Sequence, residues 1–238
     1  MAHNPLRVRE APRISANDLA LFMVSSDTAR MSIIRRAKRP SSPPIIRYKD
    51  IRQPICNYLM DDLRRIAALV SAEEMLLQRI EDPAETALRK DDARHSIQVL
   101  HAIQGMANQL APYQFVAAPQ NQPKLMLAGV EISIRADLLV NGSSRGKSQC
   151  GVALLRMTQD DSETEAARAK RRDMGLYVAT LARLHADSLG GDREPTHRLC
   201  LSIDIQHGEA FAAPTSNARR GSDLESACRF IGAMWPSA

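Results

Sequence analysis

Two continuous apolar segments, separated by a long amphipathic stretch, constrain this fold more than any other feature of the sequence. Residues 151–157 read GVALLRM and residues 198–205 read RLCLSIDI. A strand that is apolar throughout is typical of the centre of a sheet covered on both faces. Between them, residues 163–187 place apolar side chains at helical spacing. We therefore expect two central strands of one mixed sheet, with the helix crossing between them.

The spacing of apolar residues in the first half of the chain predicts helices. Ser15, followed three residues later by Asp18, resembles a capping box that opens a helix. Apolar residues then recur every three or four positions over residues 58–80 and again over 86–110, which predicts a helical hairpin. Residues 45–57, which contain Pro54 and several polar residues, are expected to form an extended or loop connection.

In the second half of the chain, apolar residues recur at the spacing typical of β-strands. Residues 114–119 predict a short strand, and residues 130–137 alternate apolar and polar side chains, as a half-buried strand does. Residues 142–149, rich in serine, glycine and lysine, predict a flexible turn. Residues 209–213 are expected to pair with the second apolar strand as a hairpin, and residues 223–234 to form the last helix.

Composition excludes several classes of protein. The chain has 238 residues, a net charge of +5 and no apolar run of the roughly 18 residues that a membrane span needs. Its amino terminus lacks the apolar core of a secretory signal, so we expect a cytoplasmic protein without a membrane partner. No cysteine belongs to a close pair, which favours free buried thiols over a metal cluster; the four are Cys56, Cys150, Cys200 and Cys228.

Three motifs and the order of the elements resemble one known superfamily. The motifs are ISANDL at residues 14–19, VEISIRADLLV with Asp137, and RRDMGLYVATL with Asp173 and Tyr177. Over about residues 14–213 the chain resembles the PD-(D/E)XK nucleases, particularly their RecB-like and CRISPR-adaptation exonuclease branch. The resemblance implies an α/β fold with a restriction-endonuclease-like mixed central sheet, flanked by helices and preceded by an N-terminal helical hairpin.

The resemblance also implies a nuclease-like core and a damaged active site. Residues 1–13 are predicted to be a disordered tail, followed by a helical region at 14–112 and a core at 113–238 that the resemblance makes nuclease-like. Asp137 matches the first catalytic aspartate of the superfamily. The acid and the lysine of its next strand fall on Leu154 and Arg156.

The implied catalytic residues are therefore Asp137 and Arg156. The implied metal ligands are Asp137 and His101, which lies in a helix comparable to one that carries a metal-binding histidine in this branch. Leucine offers no oxygen to a hard cation, and arginine stays protonated and is a poor base. We expect no cofactor, or Mg²⁺ if the site is active, with Glu131 or Asp160 as a displaced acid.

Basic residues close to the predicted central strands could hold phosphates. The expected nucleic-acid contacts are Arg145, Lys147, Arg168, Lys170, Arg171 and Arg172. Lysine and arginine bind the phosphate backbone without regard to base sequence, although the same residues also serve as solvated helix faces.

Three functions remain open at this level. The first is a nuclease-fold protein, catalytically silent or impaired, that binds nucleic acid or supports a protein partner. The second is an active metal-dependent DNA nuclease with a displaced acid. The third is a protein–protein interaction module that docks through the predicted hairpin at 58–110.

Overall fold

A computed structural model describes residues 8–40, 47–157 and 162–238. Eight α-helices and nine strands lie within these ranges. The helices are α1 Ala16–Met23, α2 Asp27–Lys38, α3 Lys49–Met60, α4 Ala67–Glu81, α5 Ala87–Gly105, α6 Ala107–Leu110, α7 Glu165–Leu189 and α8 Ala218–Met234. The strands are β1 Arg13–Ser15, β2 Gln114–Ala117, β3 Leu125–Leu127, β4 Val130–Ser133, β5 Leu138–Ser144, β6 Lys147–Arg156, β7 Glu194–Pro195, β8 Leu201–Asp204 and β9 Glu209–Ala212.

The main sheet is mixed, as the apolar strands predict. Its order is β2-β5-β6-β8-β9, and the two-residue strand β7 pairs with β6 beside this path. β2 pairs with β5, and β5 with β6, in antiparallel orientation, whereas β6 and β8 are parallel and joined through α7. The fold is therefore an α/β fold with a mixed sheet flanked by helices. The predicted crossover between the two apolar strands is confirmed.

Helices cover both faces of β6. Ala153 and Leu155 pack with buried residues of α3, α4 and α5, and α4 and α5 form a helical hairpin. Val152 and Leu154 face the other way and pack against α7, whose contact residues include Val178 and Ala182. Because successive side chains of a strand point to opposite faces, an all-apolar strand fills both layers at once.

The alternating segment 130–137 does not form one strand of the main sheet. Its first part, β4, pairs with β1 and β3 in a separate three-stranded sheet. This small sheet packs against α1, α2 and α8 through a core that includes Ile132 and Trp235. The prediction of a single sheet over 115–213 is wrong here, because alternation shows which side chains are buried but not which strand is the partner.

Two segments that lacked a clear pattern are regular. Residues 45–57 were expected to be extended or looped, yet α3 begins at Lys49, and its Ile51 and Ile55 are buried. Residues 142–149 were expected to be a flexible turn, but they are the end of a β-hairpin. Only Arg145 and Gly146 form the turn, both with positive φ, as two-residue hairpin turns often require.

The predictions of a Ser15 cap and of free cysteines are confirmed, whereas the prediction of a single helix over 58–80 is wrong. Ser15 caps α1 by accepting from the amide of Asp18. The helix predicted over 58–80 is two helices, because α3 ends at Met60 and α4 begins at Ala67. All four cysteines are free thiols, three of them buried and Cys150 half-buried.

The predicted tail at 1–13 overlaps the described part of the chain only from residue 8. There the amide of Arg9 donates to the carbonyl of Lys38, at 2.9 Å. No helix in the described part of the chain is long and apolar enough to cross a membrane.

Candidate functional site

Asp137 lies directly before β5, where the chain passes from the small sheet to the main one. Its amide donates to the carbonyl of Ala153 at 2.9 Å, and its Oδ2 accepts from the amide of Leu155 at 2.7 Å. Its Oδ1 accepts from Nη1 of Arg52. Only 10% of the side chain is exposed. Both carboxylate oxygens are therefore engaged by donors of the chain itself.

Arg52 comes from α3, the helix that the sequence pattern did not predict. One turn later on α3, the Cys56 thiol lies 3.9 Å from the carbonyl oxygen of Asp137 and donates to it. Burial, followed by the charge of Asp137, raises the pKa of Cys56 to about 12. The thiol therefore stays protonated at neutral pH and is not a nucleophile.

A second contact holds the backbone just before Asp137. The Gln122 side chain bonds both backbone groups of Ala136, donating to its carbonyl at 2.9 Å and accepting from its amide at 2.8 Å. His185 of α7 lies 2.9 Å from the same Gln122 oxygen through Nε2. Burial lowers the pKa of His185, so it is a neutral N–H donor here. Sequence reasoning missed both residues, since a single histidine on an apolar helix face usually indicates packing.

Two cavities flank Asp137 and share Arg52 and Arg135. The larger, of about 650 Å³, is also lined by Lys49. The smaller, of about 160 Å³, reaches Ser15 at the start of α1. The larger cavity thus holds three cations and one carboxylate. Its electrostatic potential favours an anion.

Leu154 and Arg156 differ in where they lie relative to Asp137. Leu154 lines the smaller cavity and contributes an apolar wall there. Arg156 is not among the described residues that line either cavity. It is 2% exposed, and its Nη2 lies 3.5 Å from Oδ2 of Asp204 on β8. Burial lowers the pKa of Arg156, and the charge of Asp204 opposes that change.

The register of β6 and β8 explains this placement. Arg156 and Asp204 are direct partners across the two parallel strands. Oδ1 of Asp204 also lies 2.9 Å from Nδ1 of His207, within hydrogen-bond distance. The structure therefore pairs Arg156 with Asp204 and not with Asp137.

The structure does not bring His101 and Asp137 together as ligands. The side chain of His101 is 58% exposed, and its Nε2 lies 2.9 Å from Oε1 of Glu73 on α4. Glu131, a candidate displaced acid, pairs with Lys124 and Arg13 in the small sheet, and Asp160 lies outside the described residues. Within residues 8–40, 47–157 and 162–238, no group of three or more His, Cys, Asp or Glu side chains could hold a metal ion.

The basic residues predicted to contact nucleic acid fall on two surfaces. Arg145 and Lys147 lie exposed at the tip of the β5–β6 hairpin. Lys170 and Arg172 are exposed on α7, and Arg168 is exposed but pairs with Glu163 at 3.0 Å.

Arg171 differs from these neighbours because it is buried. Its Nη1 donates to the carbonyl of Ser162 at 2.6 Å. Its charge is therefore directed inward, away from the surface that Lys170 and Arg172 share.

Asp173 and Tyr177, the predicted motif pair, lie one turn apart on α7. Both contact Arg220 of α8. The Arg220 guanidinium lies 5.5 Å from the centre of the Tyr177 ring, and its Nη2 lies 3.7 Å from Oδ1 of Asp173.

No protein-family model and no curated protein matches the sequence. The function is therefore argued from the geometry of the chain itself.

Proposed function

We propose that this protein binds nucleic acid through its phosphate backbone, and that the cavity at Asp137 is a phosphate-binding site without hydrolytic activity. The observation that carries this proposal is the engagement of Asp137. Arg52 and the Leu155 amide occupy its two oxygens, inside a cavity that Arg52, Arg135 and Lys49 make basic.

The donor set around Asp137 does not fit a resident Mg²⁺. That ion is held in proteins through carboxylates and keeps several waters. Here the single carboxylate already neutralises Arg52, and Leu154 presents carbon at the position where the resemblance expects a second acid. The guanidinium supplies the positive charge that a cation would otherwise bring.

Lys49 and Arg135 supply the phosphate contacts in this proposal. Both side chains are exposed and line the larger cavity beside the Arg52–Asp137 pair. Arginine binds phosphate through a planar fork of N–H donors, and lysine acts as a point charge. The exposed Arg145 and Lys147, at the opposite end of β5 from Asp137, supply a separate set of phosphate contacts in this proposal.

The order of elements supports a degenerate nuclease fold as the origin of this site. β2, β5 and β6 form an antiparallel unit, α7 crosses over, and β8 returns parallel to β6. Asp137 lies directly before β5, and Leu154 lies on the neighbouring β6, so the two positions carried by the resemblance face one cavity. Membership of the PD-(D/E)XK superfamily is part of the proposal.

Binding and cleavage are separated by two assays on the full chain. Fluorescence anisotropy with labelled single- and double-stranded DNA, at 50 and 200 mM salt, should show affinity that falls steeply with salt. Arg135→Gln should weaken binding and lower the slope of log K against log salt by about 1, as the loss of one phosphate contact does. Arg94→Gln, at an exposed position on α5, is the matched control and should leave both values unchanged.

A nuclease assay with Mg²⁺ and with Mn²⁺ completes the test. We expect no cleavage by the unmodified chain. Robust cleavage that Asp137→Ala abolishes would overturn the proposal in favour of an active nuclease. Binding that ignores salt over this range would overturn the phosphate contact itself.

A second function is favoured by one observation on the α4–α5 hairpin. Ile66, Val70 and Leu77 lie along one side of α4 and are exposed, as is Leu88 on α5. Exposed apolar residues that cluster in this way mark protein contacts. If copies of this chain pair through the hairpin, the mass measured by light scattering rises with concentration and returns to that of a monomer in a Val70→Glu/Leu77→Glu variant.

A further inference from the structure

A second groove lies on the opposite side of α7 from the sheet, between α1, α2, α7 and α8. It consists of two adjoining cavities of about 520 and 620 Å³. The two share Met23, Tyr177 and Asp223 as lining residues, and we call them together the Tyr177 groove. Neither cavity contains a residue that lines the Asp137 cavities, so this groove is a separate feature.

One half of the Tyr177 groove is aromatic. Phe22 of α1 and Phe230 of α8 lie with their ring centres 6.1 Å apart, and Tyr177 lines the same cavity. Phe230 is 46% exposed although it is a large apolar residue at the cavity wall. Arg30 lies 5.2 Å from the Phe22 ring but is held there by Asp27 and by two backbone carbonyls. Because Phe22 is buried beneath Arg30, Phe230 is the phenylalanine whose ring this half offers to a flat apolar group.

The other half is basic. Lys170, Arg219 and Arg220 line it, opposed by Asp173 and Asp223. The Nε of Arg220 is buried and has no hydrogen-bond partner among the described residues. A buried donor without an acceptor is costly, and such donors are commonly satisfied by water or a ligand.

The start of α8 adds positive potential to this half. Arg219 and Arg220 lie in its first turn, which contains no acid, although acids are favoured there by the helix dipole. The Asn217 side chain does not cap the helix, because its Oδ1 accepts from Thr180 at 2.9 Å. A bound anion would offset the positive charge of Arg219, Arg220 and the helix start.

From these two halves we propose that the Tyr177 groove binds an aromatic base joined to a phosphate, as in a nucleoside monophosphate. The base stacks on Phe230 and Tyr177, and the phosphate binds Arg220, Arg219 and Lys170. The Asp223 carboxylate, common to both halves, accepts from an amino or hydroxyl group between them. This site is independent of the phosphate site proposed at Asp137.

Calorimetric titration of the full chain with AMP, adenosine and inorganic phosphate tests the proposal. AMP should bind at least about fivefold more tightly than either part, since stacking and phosphate contacts act together. A single-stranded DNA decamer, titrated in parallel, distinguishes a free nucleotide from the end of a strand as the source of the same chemistry. Affinity for AMP no greater than for phosphate alone would overturn the proposal.

Paired variants locate the binding. Phe230→Ala and Arg220→Gln should each weaken AMP binding by about fivefold or more. Arg229→Gln, at an exposed position on the same helix that pairs with Glu225, should leave it unchanged. Circular dichroism checks that each variant is folded, and Lys170→Gln at an exposed position replaces Arg220→Gln if that variant is not.

The Asp137 cavity provides the remaining comparison. Arg135→Gln should not change AMP binding, whereas it should weaken DNA binding if the proposed function is correct. Binding of AMP that is lost in Arg135→Gln but kept in Phe230→Ala and Arg220→Gln would assign the nucleotide to the Asp137 cavity and would overturn the present proposal.

Discussion

Arg52 donates to the carboxylate of Asp137 and so ties α3 to the start of β5 in the main sheet. The two residues are 85 positions apart in the chain. Asp137, which the resemblance assigns to metal binding, is therefore the ion-pair partner of an arginine.

Removing the charge of Asp137 should cost stability but not nucleic-acid binding. Asp137→Asn weakens two charge-assisted hydrogen bonds in a mostly buried place, so we expect the free energy of unfolding to fall by about 1–3 kcal/mol in urea titrations. Affinity for DNA should stay equal or rise, because a negative charge leaves a basic cavity. Asp192→Asn, in an exposed loop, should change stability by less than about 0.5 kcal/mol. Loss of DNA affinity in Asp137→Asn would contradict this account.

The buried pair of Arg156 and Asp204 should behave as a unit. Arg156→Met leaves the Asp204 carboxylate buried without its arginine partner, and we expect a loss of about 3 kcal/mol or more. Adding Asp204→Asn to the same chain should recover part of that loss, since no charge then remains to be paired. Unfolding curves of the single and double variants measure the coupling. A single variant within about 1 kcal/mol of the unmodified protein would show that the pair is not stabilising.

Stability should fall as the pH drops below about 6.5, in part through His185. Burial holds the folded-state pKa of this residue below its unfolded value, so the unfolded chain takes up the proton first. The contribution is complete above the unfolded pKa and is lost as the pH falls, by at most about 1.4 kcal/mol one unit below it.

The test compares the unmodified chain with His185→Gln at pH 7.5 and 5.5. The variant is expected to be less stable at both values because the contact to Gln122 is altered, yet its stability should change less between them. His197, whose pKa burial also lowers, remains in both chains and contributes equally. An identical pH dependence in the two proteins would rule out His185 as a source.

Gly151 lies where β6 has no room for a side chain. A Cβ at this position would lie 2.1 Å from the backbone carbonyl oxygen of Leu199. Gly151→Ala should therefore displace backbone and destabilise the fold by more than about 2 kcal/mol. Gly232→Ala on α8, where nothing lies within 4 Å of the added Cβ, should be neutral or stabilising by up to about 1 kcal/mol. Equal thermal midpoints for the two variants would contradict the packing at Leu199.

The candidate site was predictable only in part. Asp137 could be found only through the resemblance of VEISIRADLLV to a nuclease strand, in which it matches the first catalytic aspartate. Arg52 could not, because Pro54 and the polar residues around it favour a loop, and only the burial of Ile51 and Ile55 against the sheet makes α3 a helix. Gln122 and His185 were likewise missed, since each acts on Asp137 through the backbone of Ala136 and no local pattern reports such a contact.

Sequence alone determined the elements whose signals are local. Ser15 caps α1 through an amide three residues away, and the apolar run of β6 requires cover on both faces wherever it is placed. Tertiary structure decided the partners. β4 joins the small sheet and β5 the main one, although they follow each other closely along the chain, and Arg156 faces Asp204 because of the register of β6 with β8. Local periodicity indicates which side chains are buried and which are exposed. The pairing of strands depends instead on contacts between distant segments, and these form only in the packed chain.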